Sequence, residues 1–246
     1  MFDILFARTF LIVGGMLLIT SITSRINKTF ETTKEMFITV IATFVFLLAI
    51  MLFANIYPLN IFLVAVFSAL VGWEIGPTIE HLGKRFKIKR YFKSRGIIIK
   101  KGQEINDEQK NELEKSFDAT KYHKEWHNIV FQALFATALA VFSTAGIVFL
   151  TSIDFSFLGG FLFMSLFVLI IMGFLNVFFF RSKMFSLVKA YIGAIIFTLY
   201  LLFDFNMMEK MKGDESWGAA ITIAVNIYLD IINLFLDLLE ILAESD

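Results

Sequence analysis

"AAITIAVNIYLDIINLFLDLL", residues 219 to 239, is an apolar run whose only charges are Asp230 and Asp237. About 20 apolar residues cross the hydrocarbon core of a bilayer, so this run predicts a membrane-spanning helix with a carboxylate near its middle. A second stretch, "LLFDF" (201 to 205), places Asp204 in the same kind of surroundings. The rest of the chain agrees with this reading. Hydrophobic residues make up 58% of 246 residues, with 31 Phe and only two Pro. That is well above the apolar share of a soluble domain. The 22 basic and 22 acidic residues cancel, so only their distribution carries information. With no Cys, disulfide frameworks, thiol nucleophiles and thiolate metal sites are excluded.

Charge-free runs predict the spans. Thr9 to Ser24 is uncharged between Arg8 and Arg25, and no charge occurs from Met36 to Trp73. The latter run holds two spans separated at "NIYPLN" (55 to 60), where Pro58 and two Asn mark a turn. From Trp126 to Phe180 the only charge is Asp154, which separates a fourth span from a fifth. A sixth runs over about 190–208 and a seventh over about 217–242. The runs are continuous rather than alternating, which predicts a seven-helix, all-α membrane protein and argues against a β-barrel. Residues 1–246 read as one integral membrane domain. Basic residues gather in the odd-numbered loops, which places the N-terminus outside and the C-terminus in the cytoplasm. The first span reads as a signal anchor, because a strong basic region and a small-residue cleavage site are both missing. The last span reads as the least hydrophobic; if it were re-entrant, the C-terminus would change sides.

The loop between spans three and four begins with "KRFKIKRYFKSRGIIIKK" (84 to 101), nine basic residues without an acid. A mixed-charge stretch follows, in which Asn106 could cap a helix carrying Leu113 and Phe117. A solvated cytoplasmic hairpin accounts for both parts. A sharper reading makes Lys84, Arg85, Lys87, Lys89, Arg90, Lys93 and Arg95 a clamp on anionic lipid, with aromatic residues interleaved. Nucleic acid is not an expected partner, because no recognition motif is present.

Four stretches fall in an order that resembles the transmembrane BAX inhibitor motif family, whose bacterial members include YccA-like proteins. They are "GWEIGPTIE" (72 to 80), "FLNVFF" (174 to 179), "AYIGAIIFTLYLLFDF" (190 to 205) and the opening run. The resemblance extends from about Phe10 to Leu242, with about 84–125 as an insertion. It implies a seven-helix bundle with the last helix packed centrally, lying in a bacterial plasma membrane. It also implies that Asp204 and Asp230 face each other as a pH-sensitive gate for calcium leak, binding Ca²⁺ only transiently and needing no cofactor. The chain departs from the pattern in three places. Phe205-Asn206 follows Asp204 where the family commonly has Thr-Gln, the second span lacks an arginine found in some bacterial members, and Glu240 stands where a basic residue is common.

The pair can also be argued from the residues. Asp204 and Asp230 lie symmetrically about Trp217, so a hairpin turning near "GDESWG" (213 to 218) brings them to similar depth. Two adjacent carboxylates cannot both ionise cheaply; they share a proton, or they meet a cation. Two carboxylates fall short of the six to eight oxygens that Ca²⁺ prefers. Glu74, Asn206, Asn226 and Asn233 are therefore expected along an ion pathway. Glu80 with His81, and Asp237 with Glu240, are expected at the interface, and His123 with His127 at a helix start. Gly14-Gly15 and Gly159-Gly160 are expected to let helices approach closely. Intramembrane aspartyl proteases also need two aspartates, but their Gly-x-Gly-Asp signature is absent before Asp230. A non-conducting regulator of a membrane protease or death pathway, acting through a membrane-protein partner, is the remaining alternative.

Overall fold

A computed structural model describes residues 3–97, 117–151 and 153–245. Its order is α1 (Ile4–Ile26), α2 (Thr33–Phe53), α3 (Leu59–Ser94), α4 (His123–Leu150), α5 (Leu158–Leu175), α6 (Lys183–Lys210) and α7 (Trp217–Ser245). A 3₁₀ turn, Ala119–Tyr122, leads into α4, and a π turn, Asn176–Phe180, ends α5. All seven are long and apolar enough to cross a membrane. The helix starts are locally encoded. Asp3 accepts the Leu5 N–H at 2.9 Å, and Thr32 accepts the Glu35 N–H at 3.1 Å, each satisfying a first-turn donor that has no intrahelical partner.

The expected turns are present. Residues 54–58 separate α2 from α3, 151–157 separate α4 from α5, and 211–216 close the α6–α7 hairpin. In that last turn Gly213 has φ 91°, a conformation costly for any residue with a Cβ. Helix α7 is continuous over 29 residues, about 43 Å at 1.5 Å per residue, which is ample for a full span. Its apolar window is no poorer than that of α1 and exceeds that of α3, contrary to the sequence expectation.

The basic run departs from its reading as a loop. Helix α3 continues for 36 residues through Pro77 and the basic positions to Ser94. Internal partners hold this extension in place. Arg85 and Lys89 pair with Glu244 of α7, Arg90 pairs with Glu125 of α4 at 2.9 Å, and Lys87 lies 3.1 Å from His123 Nδ1. The proposed Asn106 cap and Leu113 lie outside the described residues.

Burial differs sharply among the helices. In the most apolar window of α7, 67% of residues are buried, against 11% in α2 and 12% in α5. Phe44, Leu52, Phe163 and Phe167 point outward from those two helices, as a lipid-facing surface requires.

The chain divides into two units. The first comprises 1–80, 144–156 and 200–231; the second comprises 81–143, 157–199 and 232–246. In the first unit α1 and α3 approach closely at Gly72 and Gly76, where a Cβ would fall 2.7 Å from Thr20 O and 1.9 Å from Asn27 O. Gly14, Gly15 and Gly160, the expected contact glycines, would meet nothing within 4 Å. They face away from neighbouring helices. A polar chain ties three helices together: the Thr20 hydroxyl donates to Ser68 O at 3.0 Å and lies 2.6 Å from the Tyr228 hydroxyl. With its proton directed at Ser68, Thr20 accepts from Tyr228. In the second unit, Phe86 packs against Trp126, and Gly83 leaves room for the same indole.

Candidate functional site

The site lies within the first unit, on the two arms of the α6–α7 hairpin. Asp204 sits between apolar turns of α6 and Asp230 between apolar turns of α7; they are 4% and 6% exposed. Their carboxyl groups lie within hydrogen-bonding reach of each other. Two ionised carboxylates have no donor between them, so a hydrogen bond across the pair exists only when one carries a proton. The Asp230 Oδ2 accepts no hydrogen bond from the described residues. No lysine or arginine among the described residues pairs with either aspartate. The pair therefore has two chemical states open to it: a shared proton, or two negative charges facing a cation.

The expected pathway residues separate in the structure. Asn226 is exposed although α7 is the most enclosed helix, and so is Thr222. Thr222, Asn226 and Asp230 are spaced by four residues and line one face of α7. Asn233 is half-buried beyond them on the same helix. Asn206 serves another purpose: it donates to Asp154 Oδ1 and Ser156 Oγ, both at 3.2 Å, and accepts the Phe155 N–H. It fastens the α4–α5 connection instead of extending the pair. Asp154 also pairs with Lys210 at 2.8 Å. That hydrogen bond, ahead of those from Ser156 and Asn206, holds the exposed Asp154 carboxyl well below its usual range. Glu74 is half-buried, and the hydroxyl of Thr43 on α2 lies 2.6 Å from its Oε1.

Among the basic positions proposed for lipid contact, Lys87 is buried at 6% exposure. Arg85, Lys89 and Arg90 have the acidic partners given above, while Lys84 and Lys93 lie on the same helical extension and Arg95 in the turn that follows it. Glu80 and His81 are exposed, as an interfacial position requires. Asp237 is not at an exposed boundary: it is 5% exposed and pairs with Lys189 of α6 at 3.7 Å. The sequence bounds of about 190–208 leave Lys189 outside the sixth span, in the loop before it. Counting charge to delimit spans assigned it to the wrong element, because a lysine stem can lie within a helix packed on another. The Tyr228–Thr20 bond was also invisible in the sequence, where both residues sit in apolar runs with no spacing that connects them.

Seven membrane-spanning helices and two facing intramembrane carboxylates define an all-helical, multi-pass membrane protein. A family model described as "Inhibitor of apoptosis-promoting Bax1" matches residues 120–246, and the chain belongs to this Bax inhibitor family. Among curated relatives, Protein LIFEGUARD 1 of Arabidopsis thaliana is 38% identical over 119 residues, covering 47% of this chain and 49% of the relative. The Golgi anti-apoptotic protein of vaccinia virus (strain Lister) is 34% identical over 119 residues, 48% of each. Protein lifeguard 4 of Mus musculus is 33% identical over 114 residues, 46% of each. The chain thus spans about half the length of the curated relatives it matches. The family match includes α6 and α7, and therefore both aspartates; "GWEIGPTIE" lies outside it.

Proposed function

We propose that the protein is a cation leak pathway, with Ca²⁺ as its ion, gated by protonation of Asp204 and Asp230. The observation that carries this reading is the placement of two buried carboxylates within hydrogen-bonding reach on adjacent spans. Sharing a proton, they hold α6 against α7 and present little charge. With the proton lost, they repel each other and offer oxygens to a hard cation. The exposed polar line Thr222–Asn226 supports an approach to Asp230 along α7. Two carboxylates, with no group of three or more acidic or His ligands among the described residues, give brief binding, which suits conduction better than storage. Ca²⁺ is here the conducted ion, and the scheme needs no cofactor.

The orientation that fits the charge bias puts the N-terminus outside and the C-terminus in the cytoplasm of a bacterial plasma membrane. A reporter fused after Asn55 is then external, and one in the α3–α4 connection is cytoplasmic; the reverse result overturns this orientation. The exposed basic residues Lys84, Lys93 and Arg95 would lie against anionic headgroups.

A second reading, a non-conducting regulator bound to another membrane protein, draws support from the word "anti-apoptotic" in the viral relative's name. Ca²⁺ release from liposomes holding the purified protein, measured beside peptide cleavage, separates the classes. The leak reading expects protein-dependent flux that rises from acid to neutral pH, without cleavage. Flux equal to that of empty liposomes at every pH contradicts it.

A further inference from the structure

We propose that Asp237 is a second cation site, in which the ammonium of Lys189 occupies the carboxylate until a small divalent cation such as Ca²⁺ displaces it. The site lies wholly in the second unit and uses neither Asp204 nor Asp230. Three features of the structure lead to it.

The first is an incompletely satisfied carboxylate. Asp237 is 5% exposed, yet its Oδ2 accepts no hydrogen bond from the described residues. Its Oδ1 lies 3.7 Å from Lys189 Nζ, beyond hydrogen-bonding distance. A bridge built only to fasten two helices gains most from short, fully satisfied contacts, and this one is neither. The second feature is space made for that oxygen. A Cβ at Gly193 would fall 2.1 Å from Asp237 Oδ2 and 2.9 Å from its Cγ. Gly193 follows Lys189 by four residues on α6, so both lie on the face toward Asp237, one supplying the slot and the other the charge. The third is the surrounding charge. Glu240, three residues along α7, acts on Asp237 from its own helix, and Lys189 acts from α6. Glu240 in turn faces His81 and is half-buried. At Asp237 itself two carboxylates meet one ammonium, while Arg85, Lys183 and Lys84 act on His81 beyond Glu240.

These features suit an oxygen-seeking cation. Lys189 is 30% exposed at its side chain, and its flexible stem lets the ammonium swing out without moving the backbone. The departing ammonium frees Oδ1 beside the buried Oδ2, which has no hydrogen bond to give up, so that both oxygens can turn to a cation entering where the ammonium lay, with Glu240 next to it. Among the described residues no group of three or more His, Cys, Asp or Glu is placed to hold a metal, so binding is weak and the remaining ligands are backbone oxygens and water.

The test uses the full chain in detergent micelles, in an Asp204→Asn/Asp230→Asn background that removes the first-unit carboxylates. Infrared difference spectra are recorded on adding CaCl₂ against NaCl of matched ionic strength. The expected result is a shift of carboxylate stretching bands that disappears on adding Asp237→Asn. Lys189→Gln removes the resident competitor and lowers the Ca²⁺ midpoint by about tenfold, as for a change of about 1.4 kcal/mol. Lys189→Arg, which keeps the charge, leaves the midpoint within about twofold. A Ca²⁺ difference spectrum identical with and without Asp237 overturns the proposal, as does a midpoint unmoved by Lys189→Gln. Should Lys189→Gln fail to fold, the Asp237→Asn comparison alone decides. Because the background lacks the aspartate pair, neither result bears on whether that pair gates a leak.

Discussion

The Thr20–Tyr228 contact provides a quantitative test of how the first unit is held together. Tyr228 is fully buried, and its hydroxyl donates across 2.6 Å to Thr20, which itself donates to Ser68 O at 3.0 Å. Tyr228→Phe removes one bond but leaves the Thr20 proton satisfied, so it should cost about 1 kcal/mol. Thr20→Val does more harm. It removes both bonds and strands a buried Tyr hydroxyl with no donor or acceptor beside it, adding a desolvation penalty of about 1–3 kcal/mol. In the double variant no stranded hydroxyl remains on either side of the contact. Its cost should therefore fall below that of Thr20→Val plus Tyr228→Phe by about 1 kcal/mol, within the range of up to about 1.7 kcal/mol found for hydrogen bonds between membrane helices. Reversible unfolding in mixed micelles, followed by Trp fluorescence, gives the three free energies. Strict additivity, or Thr20→Val milder than Tyr228→Phe, would refute the donor order assigned here.

Two further predictions concern packing and charge. Gly76→Ala should destabilise the protein by about 1–3 kcal/mol, since the new methyl meets backbone oxygens that cannot swing aside. Gly14→Ala, which meets nothing within 4 Å, should be neutral or slightly stabilising in the same unfolding assay. Asp154 predicts an acid limb. Its carboxyl is held below the ordinary value of 3.8, chiefly by Lys210, so its contribution is whole above that value and is lost as pH falls through the lowered one. Asp154→Asn should flatten the fall in stability below about pH 4; an unchanged acid limb would contradict that role.

The spans were legible because a bilayer excludes charge so strongly that gaps between charged residues mark helices. Pro58 and Gly213 marked turns for reasons of backbone geometry that hold in any context. Asp204 and Asp230 stood out because a carboxylate inside an apolar run is costly and therefore informative. The same logic failed where charge is matched within the protein. The basic run of α3 looked like a loop because its partners, Glu125 and Glu244, lie on other helices far along the chain. Asp237, expected at the interface, is matched in the same way by Lys189 of α6. Asn206 looked like an ion ligand by proximity to Asp204 in sequence, but on a helix residues two apart face different ways, and its amide turns to the α4–α5 connection. Glycine spacing could not show which glycines face a neighbour: Gly72 and Gly76 do, and Gly14 and Gly15 do not.

In the proposed gate Asp204 and Asp230 act as one proton-sensing unit, and the direct measurement is Ca²⁺ flux from proteoliposomes between acid and neutral pH. Asparagine keeps the size of aspartate but can neither lose a proton nor carry a charge. Asp204→Asn and Asp230→Asn should each remove most of the pH dependence, and the double variant should add little, because either change alone breaks the sharing of a proton. Lipid composition and protein density are held constant, and each variant is first shown to unfold as cooperatively as the parent. Flux profiles with the parent's full pH dependence in both single variants would contradict the claim and leave the pair as a structural clasp between α6 and α7.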